Sequence, residues 1–199
     1  MDLPAAWPLS VAHDVRDELL AAYAAPTRGY HDTRHLGEVL DRLEEIAAAG
    51  AAYDPVPVVL AAWFHDGVYD GERDAEERSA SWAEHALAPV AAPEVVSEVV
   101  RLVRLTETHR PADDDPNGCA LSDADLAILA APERRYAEYV AAVRTEYAHL
   151  DDATFRFGRA EVLRGLLTKP DLFHTTYARE SWEDAARANV ERELVDLEA

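Results

Sequence analysis

Leu36, Val39, Leu40, Leu43 and Ile46 recur at steps of three and four residues, the spacing that lines one face of an α-helix and does not suit a strand. The same period returns along most of the chain. It predicts a first helix capped by Ser10 and reaching about Tyr23, with a break at Pro26 and Gly29. A second helix is capped by Asp32 or Thr33 and closed by Gly50. The run Val58 to Phe64 is apolar all round, as in a helix buried through a core, and it stops at His65-Asp66-Gly67. Further helices are predicted over about Ala75 to Leu87 and from Pro93 to Leu105, then a polar loop from Arg110 to Gly118. Leu121 to Ala130 resumes the apolar pattern, and Pro132 opens a helix to about Leu150. Asp151 or Asp152 caps the next helix, which ends before Pro170, and the last covers about Ser181 to Leu197. No segment reads as a strand, no repeat or linker divides residues 1–199, and the expectation is a single all-α domain built as a compact helical bundle.

Composition narrows the functions open to such a bundle. Thirty-nine acidic residues face 19 basic ones, a net charge of −20, and such a surface repels phosphate backbones. Nucleic-acid polymers are therefore not expected as partners, whereas a small anionic substrate is compatible if a metal supplies local positive charge. The single cysteine, Cys119, allows no intrachain disulfide and no thiolate zinc cluster. Charges interrupt every Ala- and Val-rich stretch before bilayer length, and the Met1-Asp2-Leu3-Pro4 start lacks the features of a signal peptide. No membrane partner and a cytoplasmic location are the expectations; the oligomeric state is left open.

Three segments carry chemistry. In the first, His31 and His35 are four residues apart and share one face of a helical turn, so one can bind a metal while the other faces a ligand. In the second, His65 and Asp66 end the most apolar helix, where an unpaired carboxylate is costly and a metal would offset the cost. In the third, Asp125 lies in the apolar stretch from Leu121 to Ala130 and could complete a His2Asp2 set, with mixed donors that suit Fe, Mn or Zn. Singly, each has a plain structural reading: a surface His pair, a capping Asp66, or helix N-terminal carboxylates at Asp123 and Asp125. It is their order on one helical frame that favours a metal centre.

That order resembles the HD superfamily of metal-dependent phosphohydrolases. It is similar to a bacterial branch described as predicted metal-dependent HD phosphohydrolases. The resemblance covers Tyr30-His31 with His35, Trp63-Phe64-His65-Asp66 with Val68-Tyr69-Asp70, and Glu76-Glu77-Arg78-Ser79-Ala80. It continues through Thr108-His109, Asp123 to Leu129, Gly158-Arg159 and Ala186-Arg187-Ala188-Asn189. It implies His35, His65, Asp66 and Asp125 as ligands of a divalent metal (Mn, Fe, Zn or Mg), with Asp123 the second choice for the last place. The first motif also resembles that of the cyclic-nucleotide phosphodiesterases, which implies His31 as catalytic acid. Asp32 stands where Asn is usual, and Ala75 where the branch often has Asn, which touches local hydrogen bonding rather than the ligands.

The expected reaction is hydrolysis of a small phosphate ester, possible nucleotides included. The metal activates water, Asp66 orients it while ligating, and His31 protonates the leaving oxygen. Glu76, Glu77, His109 and Arg159 are the candidate substrate contacts. Their structural alternatives are a solvated face for the glutamates, a helix cap for His109 and an internal salt bridge for Arg159, as for Arg187. Lys169 needs only helix-end chemistry, and Trp63 and Phe64 belong to the core. His13, His85, His149 and His174 are read as structural or exposed. Two rivals remain: a two-iron HD-type oxygenase, for which only His85 and His109 could add imidazoles, and a non-catalytic nucleotide-binding or regulatory module.

Overall fold

The structure is a computed structural model that describes residues 2–198. Among these residues every regular element is a helix, so the fold is an all-α bundle. The α-helices are α1 (His13–Tyr23), α2 (Thr33–Ala48), α3 (Pro55–Phe64), α4 (Ala75–Leu87) and α5 (Pro93–Leu105). They are followed by α6 (Pro116–Leu126), α7 (Glu133–Glu146), α8 (Asp152–Leu167) and α9 (Thr176–Glu198). Short 3-10 turns lie at Leu3–Ala6 and Ala127–Ala130. Among the described residues no helix is long and apolar enough to cross a membrane.

The core is organised around α3. Val58, Leu60, Ala61, Ala62, Trp63 and Phe64 have no exposed surface, because α2, α4, α5 and α6 all pack against this helix. Full burial of a large apolar side chain contributes about 1.5–3 kcal/mol, so α3 anchors the segment that follows it. The stripe of α2 faces the same cluster: Leu36, Val39, Leu40, Leu43 and Ile46 are all buried.

Several boundaries differ from those the sequence predicts. Ser10 does not cap α1. Trp7 Nε1 donates to the Val11 carbonyl at 3.0 Å, and the helix starts only after Ala12, which adopts a left-handed φ of 57°. The polar loop is shorter than expected, because Asp115 caps α6 by accepting from Gly118 N and Pro116 sits at the first helical position. Helix α7 stops at Glu146 rather than near Leu150, and the Arg144 guanidinium bonds the Tyr147 and Leu150 carbonyls of the turn beyond it. Helix α9 begins at Thr176, earlier than expected, with Thr175 Oγ1 accepting from Ala178 N.

Helix α9 also fixes the 3-10 turn that follows α6. Buried Asn189 donates through Nδ2 to the Leu129 and Ala131 carbonyls at 2.8 and 2.9 Å. Asn189→Ala leaves two buried carbonyls without partners and is expected to destabilise the fold by about 1–3 kcal/mol. Equilibrium urea unfolding measures this, and an unchanged midpoint would show that the bonds carry no net stability.

Candidate metal centre

Three separate stretches of chain meet at one point. Asp32 caps α2, its Oδ1 accepting from Arg34 N and His35 N at 2.8 and 3.1 Å, which sets the first-turn residue His35 facing inward. His65 follows the last residue of α3, where the helix dipole favours positive charge. Its Nδ1 bonds the Ala62 carbonyl at 2.7 Å, so Nδ1 carries the proton and the Nε2 lone pair is left for a cation. Asp125 comes from the last turn of α6.

The spacing is one that a metal ion could fit. His35 Nε2 lies 3.1 Å from His65 Nε2, 3.2 Å from Asp66 Oδ2 and 3.2 Å from Asp125 Oδ1. His65 Nε2 lies 3.0 Å from Asp66 Oδ2 and 3.6 Å from Asp125 Oδ1. Donor atoms about 2.1 Å from a shared ion stand about 3.0–3.4 Å from one another. Asp66 Oδ2 is buried and makes no well-formed hydrogen bond, although the His35 and His65 Nε2 atoms stand 3.2 and 3.0 Å from it, an arrangement that a shared cation could satisfy. His35, His65 and Asp66 together form a group able to hold a metal. The donor set and its geometry therefore fit a divalent transition metal.

The charges of these four side chains set one another's titration. Burial pulls His35 down, but hydrogen bonds and charge from Asp125 and Asp66 outweigh it and push the imidazole up to about 9. Burial likewise opposes charge on both carboxylates, and the imidazoles still hold Asp66 and Asp125 well below the carboxylate range.

The remaining predicted residues divide. His31 lies beside the cluster, its ring 5.5 Å from that of His35 and stacked at 3.8 Å on Tyr69. His109 ends α5 and also borders the cluster. Its left-handed backbone, φ 49°, lets its N–H close the end of α5 on the Leu105 carbonyl, while its Nε2 reaches to 3.5 Å from Asp125 Oδ2. Burial holds this imidazole below its ordinary range against the pull of Asp125, which keeps it neutral. Asp123 turns away from the cluster and accepts from His174 N and Thr175 N at 2.8 and 2.7 Å.

Glu77 does not reach the site, contrary to expectation, and neither it nor Glu76 borders the adjoining cavity. Both sit in the first turn of α4, and Glu77 is drawn outward into a paired contact with Arg104 of α5 at 2.6 and 2.7 Å. Arg159 lines the adjoining cavity, yet its guanidinium is already engaged by Glu193 at 2.7 Å and by the Tyr139 hydroxyl at 2.8 Å. Arg187 bonds Glu183 and the Lys169 and Pro170 carbonyls and plays a structural part.

Two residues that sequence reading missed hold the site together. Glu146, at the end of α7, accepts His31 Nδ1 at 2.8 Å and the N–H groups of Gly29, Tyr30 and His31 at 2.8–3.0 Å. Burial opposes its charge, but the His31 ring and the Tyr30 and His31 amides hold the carboxyl below its ordinary range. A side chain at Gly29 would collide with the Ala142 carbonyl oxygen, so glycine permits this approach. Arg28 donates to the His31, Asp66 and Gly67 carbonyls at 2.8, 2.7 and 2.8 Å, tying the two His-bearing loops together. A glutamate 115 residues from its partner leaves no local sequence signal. Arg28, a scarce base next to the His motif, was the one available hint.

A cavity of about 480 Å³ opens beside the centre, bordered by His31, His109 and Asp125. Comparison with known proteins adds no relative: no family model, no curated protein and no solved structure matches the chain.

The raised His35 has a measurable consequence. A histidine raised on folding stabilises fully below its unfolded value of 6.5 and loses that contribution as pH climbs through about 9. Chelator-treated protein should therefore lose stability across this window, and His65, whose burial is likewise outweighed by the charges of Asp66 and Asp125, is raised and adds in the same direction. His109, lowered on folding, acts only below 6.5 and does not interfere. Metal-loaded protein should show a flatter profile, since the ligand must be deprotonated to bind. Urea midpoints at pH 6.5 and 9 with and without chelator test this, and identical slopes would count against the centre.

Proposed function

We propose that the chain is a metal-dependent phosphohydrolase of the HD type, cleaving a small phosphate ester by attack of activated water. The observation that carries the reading is the set of imidazole and carboxylate atoms of His35, His65, Asp66 and Asp125 that stand 3.0–3.6 Å apart. Asp66 and Asp125 keep 15% and 14% of their side chains exposed against 1% for His65, so the centre opens on its carboxylate side, as a catalytic site requires.

His35, His65, Asp66 and Asp125 would hold the metal. When bound, a divalent ion supplies activation of water and neutralisation of phosphoryl charge. The chain's own groups do the rest. Asp66 accepts from the attacking water and orients it. His31, held by Glu146 through Nδ1, keeps its Nε2 for the leaving oxygen. The water oxygen would bond to phosphorus as the bond to the departing alcohol breaks; the His31 proton passes to that alcohol, and one proton of the attacking water, carried on the product phosphate, returns to His31. His31 and Asp66 are thus the catalytic residues, and Glu146 is a positioning residue.

A second reading draws on His109. Its Nε2 stands 3.5 Å from Asp125 Oδ2, so it could add a third imidazole for a further cation beside the first. A two-iron oxygenase would want another imidazole still, and His85 is exposed and bonded to the Ser81 carbonyl. Iron content with oxygen consumption separates the two reactions.

Metal analysis and a phosphate-ester panel test the main reading. Asp66→Ala should lose metal and turnover together. His31→Gln should keep its metal and lower kcat by about 10²–10⁴. Glu146→Gln should lower kcat more than it changes KM and shift the pH profile. Retained metal with full turnover in Asp66→Ala would sink the proposal. Nucleotide binding by loaded wild-type protein without turnover of any ester would replace it with a binding module.

A further inference from the structure

The cavity beside the centre has a composition that the hydrolytic reading does not by itself require. Its volume, about 480 Å³, is that of a small-molecule site. Leu126, Ile128 and Leu129 form one wall, and Tyr69, Tyr147 and Phe155 supply aromatic faces. Helix α8 forms another wall through Gly158, Val162 and Leu166, at helical spacing along one face. A Cβ at Gly158 would meet no atom within 4 Å, so this side of the cavity is open space.

Charge is nearly absent from the lining. Among the described residues that border it, Arg159 is the one arginine or lysine, and Glu193 neutralises it at 2.7 Å. Nothing there could balance a polyphosphate in a chain of net charge −20. No Asn, Gln or Ser borders the cavity to pair the edges of a nucleobase, and unpaired polar edges are costly to bury.

Position ties this apolar space to the reaction. His31 and Asp125 belong both to the cavity wall and to the centre. With His31 as proton donor to the leaving oxygen, the departing alcohol lies on the cavity side. We infer that the substrate is a monoester of phosphate with an aromatic or bulky apolar alcohol, whose organic body fills this cavity, rather than a nucleotide. The inference rests on the phosphohydrolase reading for its phosphate end. Its apolar end rests on the cavity alone.

The test measures binding and turnover separately on the metal-loaded full chain. Titration calorimetry compares 1-naphthyl phosphate with glycerol 2-phosphate and AMP. The naphthyl ester should bind about tenfold or more tighter than either, from burial of its rings. Gly158→Phe should erase that preference while metal content and glycerol 2-phosphate affinity stay unchanged. Val162→Trp, at a position 57% exposed and so tolerant of bulk, should act the same way if Gly158→Phe fails to fold. Equal affinity for the three esters, tighter binding of AMP, or an undiminished naphthyl preference in a folded plugged variant would overturn the inference. Naphthyl preference without turnover of any ester would instead overturn the hydrolytic reading and leave the apolar site standing.

Discussion

Two carboxylates and two imidazoles share a buried point at the C-terminal end of the most apolar helix, and the surrounding structure is arranged around holding them there. Burial alone would neutralise such groups. Here His35 and His65 face Asp66 and Asp125 at 3.0–3.6 Å, and the charges keep one another in place. One acceptor, Asp66 Oδ2, is still left without a well-formed hydrogen bond. The deep packing of α3 makes this arrangement possible. With Trp63 and Phe64 completely buried, the His65-Asp66 step that follows cannot move freely toward solvent.

Outward from that point the polar connections are few and long-range. Arg28 bonds carbonyls on both sides of the gap between the His31 loop and the Asp66 turn. Glu146 reaches across from α7 to the His31 ring and three successive amides. Asn189 of α9 holds the turn that follows Asp125. Each uses one side chain to satisfy several backbone groups in loops that lack regular partners. The same bonds that order these loops also place the chemistry, so fold stability and site geometry are coupled.

The acidic balance of the chain and the apolar character of its cavity favour the same kind of ligand. A field from net charge −20 disfavours polyanions at long range, and only a cation held by the His–Asp cluster would reverse it locally. Arg159, a candidate anion contact by sequence, is already engaged by Glu193 and Tyr139. Its part in the cavity is that of a neutralised wall rather than a phosphate anchor.

Periodicity alone determined the helical class, the stripe of α2, the bounds of α4 and α5, and the burial of α3, because each follows from local spacing of apolar side chains and from Pro and Asp at helix starts. His31, His35, His65, Asp66, His109 and Asp125 could be singled out in the sequence as candidates by the order of their motifs and by the resemblance that order carries. Tertiary structure decided what spacing cannot encode. It turned Asp123 toward the His174 and Thr175 amides and left Asp125 at the cluster, although the two are only two residues apart. It sent Glu77 to Arg104, and it brought Glu146 to His31 from the far end of α7. Those choices depend on which helices pack together, and helix packing brings together side chains that no local pattern relates.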